Sequence, residues 1–534
     1  MNLQTEIWKQ VTQHINGIAI GNCVYTLERI GLLEQLASQS EPTPVAGLID
    51  QFELVPGYCH LTVKLLAAEG LLLRSGDIAS GNTLVSLSDI GREWIRWISV
   101  YRHYPRLIKS AMNVFKAFEG QLEIDCCHLE LVDTLSPVEK THNPLLLRIA
   151  NHIRGPIIAA LMTEFNRRQL FQLFAAKSGH FIPLDAILDQ QSVIKSAVEI
   201  FAEQGWMVLK PGEAALTEAG LVAATTAVQY GYSVCYFPTT HSIPEMMLGG
   251  QPFPDHSEQE EEAHVDRALD IQFSGEVFSR QCREPFIRMV REIFDHEDFS
   301  KQPAVVLDCG AGDGSVLLEL YRAVREETRR GKHLKDYPLQ IVAAEYNELA
   351  RKTCAQRLTQ AGIPHLVLFG DIGEPEALMR SLQAEGIDID NILHVNKSVI
   401  HNRNYYSPND QTPAVSPPHS TAVFIMADGQ LIANANLERN LLEFFLRWKP
   451  FIQKHGMIAI EAHTVPAEIT ALHVDHSLVT AMDASHGFSH QYLIEFEHYE
   501  KIARQAGLTS RNCVQLGSQM AGAPTLSLNH FHTF

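Results

Sequence analysis

A glycine-rich turn is the first part of this sequence that could do chemistry. The stretch VVLDCGAGDGSVLLEL places Gly310, Gly312 and Gly314 at alternate positions, between an apolar run and a helical pattern. Because glycine has no side chain, such a turn lets the backbone pass close to a ligand, and a nucleotide-like ligand is typical of this position between a strand and a helix. The third glycine comes one position too early for the dinucleotide fingerprint, so the spacing disfavours a nicotinamide cofactor.

Carboxylates stand before this turn and at the ends of the next two predicted strands. Asp308 comes two residues before the first glycine, Glu345 ends the run IVAAE, and Asp371 follows the run HLVLFG. Glu345 could accept hydrogen bonds from two ribose hydroxyls, and Asp371 could bind an adenine amino group. Each acid alone could be a surface carboxylate or a helix cap, but three of them at successive strand ends favour a shared ligand.

A histidine follows the fourth predicted strand. His401 comes directly after the apolar pair Val399-Ile400 in the stretch HVNKSVIHNRNYY. Imidazole is suited to removing a proton near neutral pH because its ordinary pKa is about 6.5. Our interpretation is a base at the edge of the ligand site, and the alternative is a structural histidine that caps a helix.

Histidines are unusually dense in the last third of the chain. His463 ends the fifth predicted strand, and His490-Gln491 lie in a turn-rich stretch that could return to the same rim. Imidazole is a common ligand of first-row metals, and a mixed imidazole, amide and water set suits iron or manganese better than structural zinc. We predict a metal site at His463 with Gln491 or His490. For His473 and His476 we keep the interpretation of surface residues.

The elements that must position these residues alternate between strands and helices. After residue 270, five short apolar runs are each followed by a helical pattern, namely AVVLDCG, LQIVAAEY, HLVLFGD, NILHVNK and GMIAIEAH. This rhythm is typical of a parallel sheet with helices on both faces, in which ligands bind at the carboxyl ends of the strands. The fold class that we predict is α/β, with a Rossmann-like core behind a mainly helical N-terminal lid.

A weak internal repeat marks the first 230 residues, which are otherwise dominated by helical periodicity. The segments 67–95 and 201–224 each read as a helix end, a short apolar strand, a turn and a Leu-Ser/Thr-Asp/Glu-x-Gly stretch. Ser88 and Thr217 are the predicted N-caps of the helices that follow. The predicted turns are Gly76-Asp77 and Gly212-Glu213. A helix, a two-stranded wing and a helix form a winged-helix unit, so we predict a duplicated module that acts as a lid.

Composition and charge disfavour several classes of function. A chain of 534 residues predicts two to four domains, and a net charge of −19 disfavours nucleic acid as a partner because the phosphate backbone would be repelled. None of the nine cysteines lies in a CxxC pair, although Cys126 and Cys127 are adjacent, and their scatter suits a reducing compartment. We expect a cytoplasmic chain without a signal peptide or a membrane span.

The glycine turn and the acids together resemble the cofactor site of class I S-adenosylmethionine (SAM) methyltransferases. In that family an acid before the glycines helps to hold the ammonium end of SAM, and acids end the second and third strands. The cofactor residues that the resemblance implies are Asp308, Gly310, Gly312, Gly314, Glu345, Asp371, Ile372 and Asn396. The helix and loop between the first two strands are longer here than in the family, which we interpret as a surface insertion.

A narrower resemblance covers nearly the whole chain. The SAM motifs, the helical region before them and the stretches EAHT and SHQY are similar to C-methyltransferases of polyketide synthase loading modules, of the apratoxin type. Some members hold a mononuclear iron or a similar metal beside SAM and methylate malonyl or methylmalonyl groups carried on acyl carrier protein. The resemblance implies His463 and Gln491 as metal ligands, with His490 as a further candidate. It also implies that His401 takes the proton or positions the substrate, while the metal stabilises an enolate.

Two other classes of function stay open at this point. One is a winged-helix O-methyltransferase that acts on a small phenol or acid without a metal, since VIHN around His401 suits that group as well. The other is a non-catalytic SAM-fold scaffold or a SAM-responsive DNA regulator, which the intact acids and the net charge disfavour.

We predict four segments along the chain. They are a helical lid at 1–135, a second lid unit at 136–230, a connector rich in Pro, Gly and acid at 231–270, and a methyltransferase core at 271–534.

Overall fold

The computed structural model describes residues 2–76, 81–125, 143–177, 180–187, 191–253, 263–520 and 522–534. Asp77 of the first predicted turn, the Cys126-Cys127 pair and the predicted boundary after residue 135 lie outside these residues. The chain folds as two compact units. The helical unit comprises Met1–Asp255, Glu262–Asp270 and Ala467–Ser489, and the sheet unit comprises His256–Glu261, Ile271–Pro466 and His490–Phe534.

Eleven labelled α-helices form most of the described part of the helical unit. They are α1 (Leu3–Arg29), α2 (Leu32–Ser38), α3 (Val45–Phe52), α4 (Pro56–Ala68), α5 (Asp89–Trp94), α6 (Tyr104–Phe118), α7 (Pro144–Arg167), α8 (Leu170–Ala176), α9 (Gln191–Glu203), α10 (Glu218–Cys235) and α11 (Phe237–Met247). A 3-10 helix, Ile95–His103, joins α5 to α6, and a short one covers Leu184–Ala186.

Two three-stranded sheets of the same strand order lie in this unit. The strands are β1 (Thr43–Pro44), β2 (Leu72–Ser75), β3 (Leu84–Leu87), β4 (Ile182–Pro183), β5 (Met207–Lys210) and β6 (Glu213–Leu216), in the orders β1-β3-β2 and β4-β6-β5. Both predicted N-caps are confirmed, because the side chain of Ser88 accepts a hydrogen bond from Gly91 N and that of Thr217 from Gly220 N. The predicted pair of winged-helix units is therefore present.

The sheet unit is built on seven strands with helices between them. The helices are α12 (Arg267–Val277), which begins in the helical unit, α13 (Arg283–Phe294), α14 (Ser315–Glu327), α15 (Glu348–Gln360), α16 (Pro375–Ala384), α17 (Asn434–Trp448) and α20 (Phe496–Gln505); α18 (Ala467–Leu472) and α19 (Val479–Phe488) belong to the helical unit. The strands are β7 (Val305–Cys309), β8 (Gln340–Glu345), β9 (His365–Phe369), β10 (Ile392–Lys397), β13 (Met457–Ala462), β14 (Leu508–Met520) and β15 (Ala523–Thr533), and a separate two-stranded ribbon pairs β11 (Phe424–Ile425) with β12 (Leu431–Ile432).

The strand order is β9-β8-β7-β10-β13-β15-β14. The first five strands are parallel, and β15 runs antiparallel to both β13 and β14. Apolar residues cover both faces of the sheet, since Val305 and Leu307 pack with Phe444 and Phe445 while Val306 packs with a second buried cluster. The predicted Rossmann-like class I methyltransferase fold is confirmed. The apolar runs of the sequence predicted the five parallel strands but not the C-terminal hairpin.

The segment predicted as a connector, residues 231–270, is largely helical where it is described. It holds the end of α10, the whole of α11 and the start of α12. Pro238 stands in the first turn of α11, where proline lacks only an N–H that has no partner in the helix, so its presence does not interrupt the helix.

Among the residues that the structure describes, one helix is long and apolar enough to span a membrane by length and composition. This helix is α7, and 83% of its most apolar window is buried inside the structure. Burial in the protein core explains its composition, because a core helix is apolar on every side.

Candidate active site

The carboxyl ends of the parallel strands bring the predicted cofactor residues to one edge of the sheet. Asp308 on β7 pairs with Ala343 on β8 and with Val395 on β10, and Glu345 ends β8 beside Phe369 of β9. The charges of Asp308, Glu345 and Asp371, after burial itself, raise the pKa of the buried Cys309 thiol. The three acids therefore converge around the end of β7.

Two of the three glycines in the turn that follows β7 have no room for a side chain. Gly310 has a φ of 82°, and a Cβ there would lie 2.3 Å from Val399 Cγ1. Gly314 has a φ of 77°, and a Cβ there would lie 2.8 Å from Cys354 Sγ. Gly312, with a φ of 54°, has open space where its Cβ would be, so a ligand can approach the turn closely on that side.

Asp308 is a buried acid without a hydrogen-bond partner among the described residues. Its exposed fraction is 1%, and neither carboxyl oxygen accepts a hydrogen bond. Burial, followed by the negative charge of Glu345, raises the pKa of Asp308 to about 8, while Lys397 acts in the opposite direction. A buried carboxylate of this kind calls for a cationic partner, and the ammonium group of SAM has the required charge.

The other predicted cofactor residues lie on the same edge. The two carboxylate oxygens of Glu345 accept hydrogen bonds from Gly312 N and from Asn347 N, each at 2.9 Å, which fixes the orientation of the group. Asp371 accepts from Gly373 N at 2.7 Å. Ile372 is buried, and Asn396 is buried with its Oδ1 unpartnered among the described residues.

His401 forms a buried pair with Glu461. The ring Nδ1 hydrogen-bonds Glu461 Oε1, and the two side chains are 5% and 3% exposed. Burial acts to raise the pKa of Glu461, but the charge and hydrogen bond of His401, together with His463 and Ala462 N, lower it overall. Because Nδ1–H donates to the carboxylate, Nε2 is the basic nitrogen of the ring.

The turn that carries His401 is held from several sides. Ser398 N donates to Ile460 O at 2.8 Å, Tyr492 N donates to His401 O at 2.7 Å, and Ile400 N donates to Glu461 Oε2 at 3.1 Å. Arg403, which is buried, donates through Nη1 to Ile400 O at 2.9 Å. The imidazole is thus positioned by backbone hydrogen bonds to β13 and to the segment before α20, and not by its own side-chain contacts alone.

The turn of His401 also touches the glycine turn. Val399, two residues before His401, fills the space that a side chain at Gly310 would need. The candidate base and the predicted SAM-binding turn are therefore neighbours, as the sequence interpretation of His401 requires.

The surroundings of His463 do not fit the predicted metal site. Its ring is fully buried, with Nδ1 3.2 Å from Ile494 O and Nε2 2.7 Å from Ser527 Oγ. Both ring nitrogens are used by hydrogen bonds, so neither has a lone pair directed at a metal. Burial lowers the pKa of this imidazole to about 4, which keeps it neutral.

His490 and Gln491 follow the helical segment that ends at Ser489. His490 has a φ of 57° and is half-buried, and Gln491 is 7% exposed. Among the residues that the structure describes, no three His, Cys, Asp or Glu side chains are grouped as a metal site would require. The roles of His490 and Gln491 as ligands stay predictions.

Glu461 and Arg403 are site residues that the sequence analysis missed. Glu461 lies two residues before His463 in the run IAIEAH, where an acid inside a buried strand is itself a signal. Arg403 lies two residues after His401, and nothing in the sequence indicates that its guanidinium is buried.

Two family models match this chain. The AprA winged helix domain matches residues 154–250, and the AprA MT2-like domain, a methyltransferase model, matches residues 262–517. A comparison with curated proteins found no match.

Several solved structures are similar to the chain at low identity. CalO1, a methyltransferase in calicheamicin biosynthesis with SAH bound, is 13% identical, with 76% of this chain and 99% of that chain covered and a TM-score of 0.37. Human N-acetylserotonin methyltransferase with SAM is 14% identical, with 72% and 96% covered and a TM-score of 0.37. LepI with SAM is 10% identical, with 76% and 94% covered and a TM-score of 0.42.

The acids at the strand ends, the glycine turn and the two family models agree in what they indicate. The chain is therefore a SAM-dependent methyltransferase that joins a winged helix domain of the AprA type to an AprA MT2-like methyltransferase domain.

Proposed function

We propose that this enzyme transfers the methyl group of SAM to the α-carbon of a malonyl or methylmalonyl group carried on acyl carrier protein. The observation that carries the proposal is the buried His401–Glu461 pair beside the glycine turn. The choice of acceptor rests on the AprA-type domains, since the apratoxin-type enzymes that the sequence resembles act on such groups.

The pair supplies what a carbon acceptor needs. A carbon next to a thioester carbonyl does not attack a methyl group until it has lost a proton, so the reaction requires a base at that carbon. His401 Nε2 takes the proton, and the positive ring that forms is stabilised by the carboxylate of Glu461. Because the pKa of Glu461 is lowered, its carboxylate stays ionised while the ring is charged.

Atoms and electrons balance in the transfer. The enolate carbon forms a bond to the methyl carbon of SAM as the bond from that carbon to sulfur breaks. The products are the methylated acyl group and S-adenosylhomocysteine, and the proton on His401 passes to water. The positioned turn of His401 keeps the base at one place during these steps, which lowers the entropy cost of reaching the reactive geometry.

Metal assistance is left out of this mechanism. The sequence predicted His463 and Gln491 as ligands of iron or manganese, but both nitrogens of His463 are hydrogen-bonded to Ile494 and Ser527.

The first prediction concerns the acceptor. Malonyl- and methylmalonyl-loaded acyl carrier protein, incubated with the enzyme and SAM, should gain the mass of one CH₂ group per transfer, measured by intact-protein mass spectrometry. The added mass should remain on the acid that alkaline hydrolysis releases, since a carbon-bound methyl group survives hydrolysis whereas a methyl ester on the free carboxylate does not. If no acyl carrier gains mass but a small phenol or acid is methylated, the O-methyltransferase alternative replaces the proposal.

The second prediction concerns the base. His401→Gln and Glu461→Gln should each lower kcat for methyl transfer by about 10²-fold or more, because a positioned base contributes about 10²–10⁴-fold. The Kd for SAM, measured by calorimetry, should change little, since neither side chain is predicted to bind the cofactor. Loss of SAM binding in parallel with kcat would contradict a role in the chemical step.

The chain offers a matched control for this prediction. His419 hydrogen-bonds the buried Glu438 through Nδ1 at 2.7 Å, in the same way as His401 bonds Glu461. His419→Gln removes a histidine–glutamate pair at another place in the sheet unit and should leave kcat within about twofold. A similar loss in that variant would show that the effect of His401→Gln comes from folding.

The third prediction concerns Asp308 and pH. Since the pKa of Asp308 is about 8 without a ligand, the acid is mostly protonated at pH 6, and it must release that proton to pair with the ammonium of SAM. The affinity for SAM should therefore rise between pH 6 and 7.5, by up to about tenfold per pH unit for one coupled proton. Calorimetry in two buffers of different ionisation enthalpy should detect the released proton. Asp308→Asn should bind more weakly and without this pH dependence, and an unchanged slope would contradict the assignment.

A further inference from the structure

The helical unit repeats itself over a longer stretch than the wings. Each copy begins with a long helix, α1 or α7, and continues through a short helix, α2 or α8. One residue in the left-handed conformation precedes each short helix, Gly31 with a φ of 80° and Gln169 with a φ of 58°. A two-residue strand that ends in proline, the helix α4 or α9, and the wing then follow in the same order.

The two wings also match atom by atom at their helix caps. The hydroxyl of Ser88 donates to Gly70 O and that of Thr217 donates to Gly205 O, both at 2.7 Å. A Cβ at Gly91 would lie 2.0 Å from Leu71 O, and one at Gly220 would lie 1.9 Å from Trp206 O. The first copy spans 3–118 and the second spans 144–235. The winged helix model matches only residues 154–250, so neither family model covers the first copy.

The long helices of the two copies cross at a matching pair of positions. The stretch His14-Ile-Asn-Gly17 on α1 and the stretch His152-Ile-Arg-Gly155 on α7 share the pattern His-Ile-x-Gly. A Cβ at Gly17 would lie 2.4 Å from His152 Cα, and a Cβ at Gly155 would lie 2.4 Å from His14 O. Each glycine thus makes room for the histidine segment of the other copy.

Two buried hydrogen bonds between the copies are reciprocal in the same way. His14 Nδ1 of the first copy lies 2.8 Å from the Tyr230 hydroxyl of the second, and His152 Nδ1 of the second lies 2.7 Å from the Tyr101 hydroxyl of the first. All four side chains are at most 1% exposed. Tyr101 and Tyr230 stand at the same sequence distance from the N-caps Ser88 and Thr217. This reciprocity, in which one residue contacts a second and the equivalent of the second contacts the equivalent of the first, defines a two-fold symmetric interface.

We propose that the helical unit is a symmetric dimer of one module contained within a single chain. The partner that fits the interface of the first module is the second module, and we expect the chain to work as a monomer because the paired residues of this interface are already buried within one chain. The proposal is independent of which acceptor is methylated. It extends the two winged-helix units to include their long helices, so that the symmetric modules are residues 3–118 and 144–235.

The two modules differ on one face, because only the first module binds another segment of the chain there. Lys64 on α4 forms an ion pair with Asp483 on α19 at 2.8 Å, and the two side chains are 2% and 4% exposed. The equivalent position on α9 is Glu199, which pairs with Lys195 on the surface, with exposures of 51% and 70%. The face of α4 in the first module therefore binds the segment Ala467–Ser489, whereas the equivalent face of α9 in the second module is exposed to solvent.

The test uses the full chain and matched substitutions on the two sides of the interface. Tyr101→Phe and Tyr230→Phe each remove one hydroxyl and leave a buried imidazole nitrogen without its partner, which costs stability. Symmetry predicts that the two variants lower the midpoint of chemical denaturation by similar amounts. Tyr321→Phe, on α14 of the sheet unit and half-buried, is the control for the chemical change and should leave the midpoint nearly unchanged.

Light scattering on the wild type supplies the second readout. The mass of one chain is expected over a hundredfold range of concentration. A stable dimer would overturn the proposal that the interface is completed within one chain. A large shift for one tyrosine variant with none for the other would overturn the two-fold relation.

Discussion

The parallel alignment of β9, β8, β7, β10 and β13 is the constraint on which the active site depends. Because all five strands end at the same edge, the acids that follow the first three strands and His401 after the fourth lie close together there. No further contact between these side chains is needed to bring them together. The cost of this arrangement is a concentration of buried negative charge. The clearest example is Asp308, whose carboxyl group lies in the protein interior with no hydrogen-bond partner among the described residues. A cationic cofactor would supply the partner that the Asp308 carboxyl group lacks. The unpaired acid therefore destabilises the ligand-free edge of the sheet and favours the binding of SAM.

Local patterns predicted the parts of the fold that depend on neighbours in sequence. Ser88 and Thr217 were recognisable as N-caps because the groups that they cap lie three residues away. The strand ends at Asp308, Glu345 and Asp371 were recognisable for a similar reason, since each follows its own apolar run. Contacts between segments that are distant in sequence could not be predicted from such local patterns. The C-terminal hairpin was not identified, and β15 carries Ser527, which hydrogen-bonds His463. His463 was predicted to be a metal ligand from its neighbours in sequence. Its ring is instead hydrogen-bonded by a residue of a strand more than sixty residues later.

The active site and the helical unit use buried histidines in opposite ways. His401 is paired with an ionised carboxylate, so a positive ring is stabilised there and proton transfer is possible. His14 and His152 are paired with tyrosine hydroxyls, and burial, aided by arginine charges, lowers the pKa of both, to about 3 for His14. These two rings stay neutral and serve packing. Among His401, His14 and His152, the identity of the hydrogen-bond partner, not the burial of the imidazole, separates the proposed base from the two structural rings.

The segment Ala467–Ser489 belongs to the helical unit although the chain on both sides of it belongs to the sheet unit. For anyone who exchanges domains between enzymes of this type, the boundary of the N-terminal unit is therefore not a single cut. A transplant of residues 1–255 alone would leave Lys64 in the interior without Asp483, and an unpaired buried charge costs about 3–5 kcal/mol. A chimera that moves Ala467–Ser489 together with the N-terminal unit keeps the pair intact. The exchangeable part of this enzyme is thus discontinuous in sequence, and its last piece lies between His463 and His490.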